Sequence, residues 1–161
     1  MNIIIHTIKP KHYPLLENFL YYAIFRQPDK KPLPRKTIFN PEIFLYIKNF
    51  GNKDDCGVVA ELDGKVVGIA WTRIIPAYGN IDDKTPELAI SVLPEYRGQG
   101  IGTKLMTDLF DLLQKNGYHR TSLSVQKDNP ALNFYKRLGY KITNEKIDPV
   151  ENKDYIMAKK L

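Results

Sequence analysis

The chain has 161 residues, 43% of them hydrophobic and 26% charged, the mixture of one soluble globular domain spanning residues 1–161 rather than a disordered, collagenous or multidomain chain. Its one cysteine, Cys56, precludes an internal disulfide and a cysteine zinc cluster, and the apolar stretches are too short to span a membrane, so a reducing, cytoplasmic setting is expected. A net charge of +6 attracts polyanions without choosing among nucleic acid, an acidic membrane surface and a phosphorylated small molecule, and the basic residues form no block.

In chain order, the β-branched run Asn2 to Ile8 predicts a first strand, broken by Pro10 and Pro14. Leu15, Leu16, Phe19, Leu20, Tyr22 and Ala23 recur at three and four, which predicts an amphipathic helix with Pro14 in its first turn and an end near Arg26. Four prolines between Pro28 and Pro41 mark a loop without regular structure, and Ile43, Phe44, Ile47 and Phe50 form a second helical stripe stopped at Gly51. Cys56 to Leu62 and Lys65 to Ile75 read as strands, and Asp63-Gly64 between them is the signal of a tight antiparallel hairpin. After a polar loop, Glu87 to Leu93 alternates without a strongly polar face, as a central strand covered on both sides does. A helix with Ile101, Leu105, Leu109, Leu112 and Leu113 on one stripe stops at Asn116-Gly117. A strand from Thr121 to Val125, a helix from Asn129 to Leu138 ended by Gly139, and strands near Tyr140 to Lys146 and Asp154 to Ala158 complete the chain. The fold class is α/β of the α+β type, a sheet mixing hairpins with helical crossovers.

The segment richest in chemistry is Ser91 to Leu105, SVLPEYRGQGIGTKL. A strand is ended by proline, and three glycines lead straight into a helix. Glycines there let the chain turn sharply and leave main-chain N–H groups bare at the positive end of the helix dipole, which is a cradle for phosphate or pyrophosphate. Arg97 stands at its rim, able to pair a phosphate oxygen. Two other phosphate motifs fit poorly. Gly98 to Lys104 lacks the Gly-Lys-Ser/Thr ending of the P-loop. The third glycine also comes one position early for the dinucleotide fingerprint, behind an antiparallel hairpin rather than in a parallel unit.

A second segment, Ser122 to Lys141, supplies a matching strand, turn and helix bearing Asn129 and Tyr135. With both segments in view, the sequence resembles the GNAT superfamily of N-acetyltransferases. Arg97-Gly98-Gln99-Gly100-Ile101-Gly102 satisfies that family's R/Q-x-x-G-x-G/A motif. Asn129, Ala131, Tyr135, Gly139 and Tyr140 match its later N-x-x-A-x-x-x-Y-x-x-x-G-F type of motif, with alanine and tyrosine one position closer to Asn129 and tyrosine in place of phenylalanine. The resemblance implies the GNAT acyl-CoA N-acyltransferase fold, with a mixed, mostly antiparallel sheet that splays beside the Val92 strand. It implies acetyl-CoA as cosubstrate, held by Ser91, Val92, Leu93, Arg97, Gly98, Gln99, Gly100, Ile101, Gly102, Thr103, Asn129 and Tyr135. In the same way the Val92 N–H would polarise the thioester carbonyl, and Tyr135 would donate a proton or hydrogen bond to the leaving thiolate.

The acceptor amine arrives as ammonium and must lose a proton before it attacks. Glu87, at the start of the central strand, is the candidate base, with an ordered water as the alternative and Asp82 and Asp83 behind it. His6, His12 and His119 have no metal-binding spacing, so no metal is expected. Nine of the 18 aromatic residues lie between Tyr13 and Phe50. Tyr21, Tyr22, Phe25, Trp71 and Tyr78 are candidates to line an acceptor pocket, although helical spacing also makes them core. The expected activity is acetyl transfer to a primary amine of a small molecule or protein through a direct ternary complex, by a monomer or homodimer and without nucleic-acid or membrane partners. Its alternatives are a non-catalytic acetyl-CoA sensor and a basic nucleic-acid module, the latter without the clustered basic stripe it needs.

Overall fold

The computed structural model describes residues 2–147 and 153–161. The elements are β1 (Ile3–Thr7), α1 (Leu16–Ala23), α2 (Pro41–Phe44), β2 (Cys56–Leu62), β3 (Lys65–Arg73), β4 (Glu87–Val92), α3 (Ile101–Lys115), β5 (Arg120–Gln126), α4 (Ala131–Arg137), β6 (Lys141–Ile147) and β7 (Lys153–Lys160). They build a seven-stranded sheet in the order β1-β2-β3-β4-β5-β7-β6. Every neighbouring pair is antiparallel except β4 and β5, which run parallel and share one register pair, Glu87 with Ser122. The predicted α+β architecture, mixed and mostly antiparallel, is therefore the one observed.

Two apolar clusters cover the sheet. Leu105, Met106, Leu109 and Leu113 of α3 pack with Val58, Ala60, Val67, Leu88 and Leu123 on one face. Leu16, Phe19 and Leu20 of α1 pack with Val59, Ile69, Trp71 and Leu93 on the other. The strand β4 thus has helices on both sides, as the absence of a strongly polar face predicted. Asp63 and Gly64 both take positive φ, 51° and 80°, so the β2–β3 hairpin turns where the Asp-Gly pair requires.

Three local expectations need correction. The first helix opens as a 3₁₀ turn over Pro10–Leu15 and ends at Ala23, short of Arg26. The proline-rich loop contains a 3₁₀ turn at Arg35–Phe39. The second helical stripe is one α-turn, Pro41–Phe44, capped by the Asn40 side chain accepting from the Glu42 N–H at 3.0 Å, and then a chain of turns to Gly51. Pro10 and Pro14 in the first segment and Pro32, Pro34 and Pro41 in the second suppress continuous α-helix and leave the tighter turn as the local solution.

Candidate active site

The site lies where β4 and β5 part. Leu93 donates to the Val67 carbonyl at 2.8 Å, so Leu93, Ser91 and Ala89 spend their main-chain groups on β3, while Val92, Ile90 and Leu88 turn theirs toward β5. At the closed end Ser122 N–H reaches the Pro86 carbonyl at 3.0 Å. Beyond the single register pair the strands separate, which leaves the Ile90 peptide groups and the Val92 N–H directed into a gap. Val92 is among the residues expected from the sequence and Ile90 is not, although the two-residue period of a strand puts both on the same edge.

At the wide end of the gap the chain passes through Pro94–Tyr96 and the glycine turn into α3. Gly98 and Gly100 take φ of 75° and 81°, and a side chain at either would meet nothing within 4 Å. No side chain caps α3, whose N-cap is Gly100. The space is open in front of bare amides, which fits a pyrophosphate. Gly102 sits instead against Phe134 of α4, 3.4 Å from where a Cβ would be, so it serves helix packing.

Other expected cofactor residues are placed differently. Ser91 Oγ donates to the Phe19 carbonyl at 2.6 Å, and Leu93 and Ile101 are buried in the two cores, so none of these side chains faces the gap. The Arg97 guanidinium does not project freely from the rim. Its Nε donates to the Val92 carbonyl at 2.8 Å and a terminal nitrogen reaches the Tyr22 carbonyl at 3.4 Å, tying the end of α1 to β4. Gln99 and Thr103 are exposed beside the turn. Asn129 accepts from the Ala131 N–H at 2.9 Å and so starts α4.

The gap opens into a cavity of about 280 Å³ lined along the strands by Leu88, Ala89 and Ile90 of β4 and Leu123 and Val125 of β5. The end of α1 and the residues after it (Leu20, Ile24, Phe25), the α2 turn (Ile43, Tyr46) and Tyr78 wall one side, and Ser124, Gln126, Asn129, Tyr135 and Asp154 wall the other. Of the five aromatic candidates, Phe25 and Tyr78 line it. Trp71 does not: it is fully buried in the core and donates its indole N–H to the Tyr46 carbonyl at 2.9 Å. Tyr21 and Tyr22 stack on Arg35 instead. The Tyr135 phenol, half-buried beside Phe134 and Tyr140, has its pKa pushed up by desolvation to about 12, so it stays protonated and can donate at neutral pH.

Glu87 stands at the closed end of the gap, and only 2% of it is exposed. Its Oε2 accepts from the Tyr46 hydroxyl and from the Gly79 N–H at 3.0 Å. Burial raises its pKa to about 7 against the opposing pull of those two hydrogen bonds. By contrast Asp82 is tied to Arg120 at 2.6 Å on the surface, with its carboxyl held low by the Lys84 N–H. Cys56 is buried, with its thiol pushed up by desolvation, as a structural cysteine's is. Among the described residues no cluster of histidine, cysteine and carboxylate is arranged to hold a metal, and no helix is long and apolar enough to cross a membrane.

A sequence model described as the acetyltransferase (GNAT) family matches residues 20–140. The chain belongs to this family. Among its relatives, a mycothiol acetyltransferase of Arthrobacter is 32% identical over 54% of this chain and 28% of its own length. An N-alpha-acetyltransferase of Sulfurisphaera tokodaii is 30% identical over 63% of this chain and 66% of its own. The chain thus spans from about a quarter to two thirds of the length of these curated GNAT relatives. The ribosomal-protein-alanine N-acetyltransferase of Brucella melitensis shares the fold at a TM-score of 0.73 and 19% identity, covering 98% of this chain and 99% of that one. The PaiA N-acetyltransferase of Thermoplasma acidophilum, solved in complex with coenzyme A, superimposes at 0.66 and 20% identity over the full length of both chains.

Proposed function

We propose that this GNAT chain works as one domain, an acetyl-CoA-dependent N-acetyltransferase whose acceptor is a primary amine. The observation that carries the reading is the open glycine turn at the head of α3, in line with the gap between β4 and β5 and the cavity beneath it. The amides from Gly98 to Thr103 hold the pyrophosphate, and the gap takes the extended arm along the peptide groups of Ile90 and Val92. The bound thioester supplies the acetyl group.

The protein's own groups do the rest. The Val92 N–H donates to the carbonyl oxygen as it gains charge. Glu87, with a pKa near neutrality, takes the proton that an ammonium must lose. Tyr135 keeps its proton until the thiolate leaves and then gives it. Names of relatives that carry the word N-acetyltransferase support the class of acceptor, but the cavity walls do not single out one amine.

Calorimetry with acetyl-CoA and release of free thiol in the presence of a panel of amines test the proposal. Wild type binds the carrier and releases thiol with at least one amine, while Gly100→Asp, which sets a carboxylate into the cradle, binds at least about 100-fold more weakly. Unaltered binding by that variant would remove the cradle from the account. Binding without thiol release from any amine would leave a sensor.

A further inference from the structure

Resting on the acetyltransferase reading, a question of distance arises inside it. Glu87 is buried and does not line the cavity, so an amine standing there does not touch it. Tyr46 does both things. The residue lines the cavity, and its hydroxyl donates to Glu87 Oε2. We propose that the Tyr46 hydroxyl relays the proton from the acceptor amine in the cavity to the Glu87 carboxylate.

The surroundings suit a relay. The Tyr46 main chain is fixed at both of its polar groups, its carbonyl accepting from the Trp71 indole and its N–H donating to the Ile43 carbonyl at 3.1 Å. The Gly79 N–H also donates to that Glu87 oxygen at 3.0 Å, and Ser122 Oγ donates to the Gly79 carbonyl at 2.7 Å. The second carboxylate oxygen, Oε1, is buried without a hydrogen-bond partner among the described residues. The Tyr46 contact is therefore the polar connection from Glu87 to the cavity.

Other charged groups near Glu87 are otherwise occupied. Arg73, opposite it on β3, is paired with Asp55 at 3.0 Å, and Lys146 of β6 donates to the Tyr78 carbonyl at 3.3 Å. Lys146 still favours the charged carboxylate by its field. Burial and the neighbouring carboxylate hold the Tyr46 phenol well above its ordinary pKa, so it does not ionise on its own and the two transfers occur together. The ammonium N–H bond breaks and its proton passes to Tyr46 Oη, while the Tyr46 O–H proton passes to Glu87 Oε2. The amine is left with a free electron pair, Tyr46 is unchanged, and Glu87 later returns the proton to solvent.

The test compares full-length wild type, Tyr46→Phe, Glu87→Gln and the double variant, each with acetyl-CoA affinity by calorimetry and kcat and kcat/KM for the best amine from pH 5.5 to 9.5. Tyr46→Phe keeps carrier affinity within about twofold but lowers the plateau kcat by about 100-fold. Its acid limb moves to higher pH, because Glu87 loses the donor that favours its charged form. The double variant is no worse than the poorer single one. A wild-type plateau with only a shifted limb would make Tyr46 a positioning residue and overturn the relay, as would losses that multiply in the double variant. A wild type that transfers to no amine would instead overturn the activity and the relay together.

Discussion

Burial and hydrogen bonding pull Glu87 in opposite directions, and burial wins, which leaves the carboxyl half-charged near neutrality rather than fully charged as on a surface. The cost appears in stability. The folded-state pKa of about 7 lies above the ordinary 4.5, so between those values the folded chain keeps a proton that the unfolded chain has released. Stability from this group is whole below about pH 4.5 and is lost as pH rises through 7, by about 3 kcal/mol on the linkage relation. Glu87→Gln stays neutral throughout. Its melting temperature is expected to match wild type near pH 5 and to exceed it at pH 8, while turnover is lost. Parallel melting curves across that range would show that Glu87 carries no buried charge. Nothing in the sequence around Glu87 announces this state, because its partner Tyr46 lies 41 positions away on a turn whose packing only the folded sheet supplies.

At the scale of elements, the loop between β3 and β4 acts as a wedge that closes the lower end of the gap. Gly79 passes so close to β5 that a Cβ there would stand 2.6 Å from the Leu123 carbonyl carbon, 2.7 Å from the Ser124 nitrogen and 2.9 Å from Glu87 Oε2. Gly79→Ala must displace backbone, so we expect a loss of about 1–3 kcal/mol in urea unfolding together with weakened activity as Glu87 shifts. Wild-type stability and rate in this variant would mean that the loop yields freely and does not hold Glu87. This glycine was passed over in the sequence because no turn motif surrounds it, whereas Asp63-Gly64 and the Gly98 and Gly100 pair before α3 sit in patterns whose backbone demands are local. Elements with a full period of apolar residues, such as α3 and β4, were legible for the same reason. The segment from Pro28 to Gly51 was not, since its prolines and short stripes leave the choice among turns to contacts with α1 and Trp71. Trp71 itself shows the limit for the site: its aromatic character fitted a pocket wall, and its place on the face of β3 in the cluster with α1 made it core.

For the molecule as a whole, the sheet is two antiparallel blocks, β1 to β4 and β5 to β7, joined side by side through one parallel register pair. The apolar cluster under α3 draws on both blocks, so they are held together by packing where strand hydrogen bonds give out. That arrangement leaves main-chain donors of a central strand without a strand partner, a cost a folded sheet ordinarily avoids. A ligand that fills the gap supplies the missing acceptors and ties the two blocks. Hydrogen exchange should therefore divide β4 by parity. Without ligand, the Ile90 and Val92 amides exchange faster than those of Ala89 and Ser91, which are bonded to β3. On saturation with acetyl-CoA, Ile90 and Val92 gain the larger protection, and at about 100 times Kd the whole chain gains about 3 kcal/mol. Equal exchange along β4 before and after addition would mean that the gap neither exposes these amides nor receives the carrier, and would remove the basis for the oxyanion donor assigned to this strand.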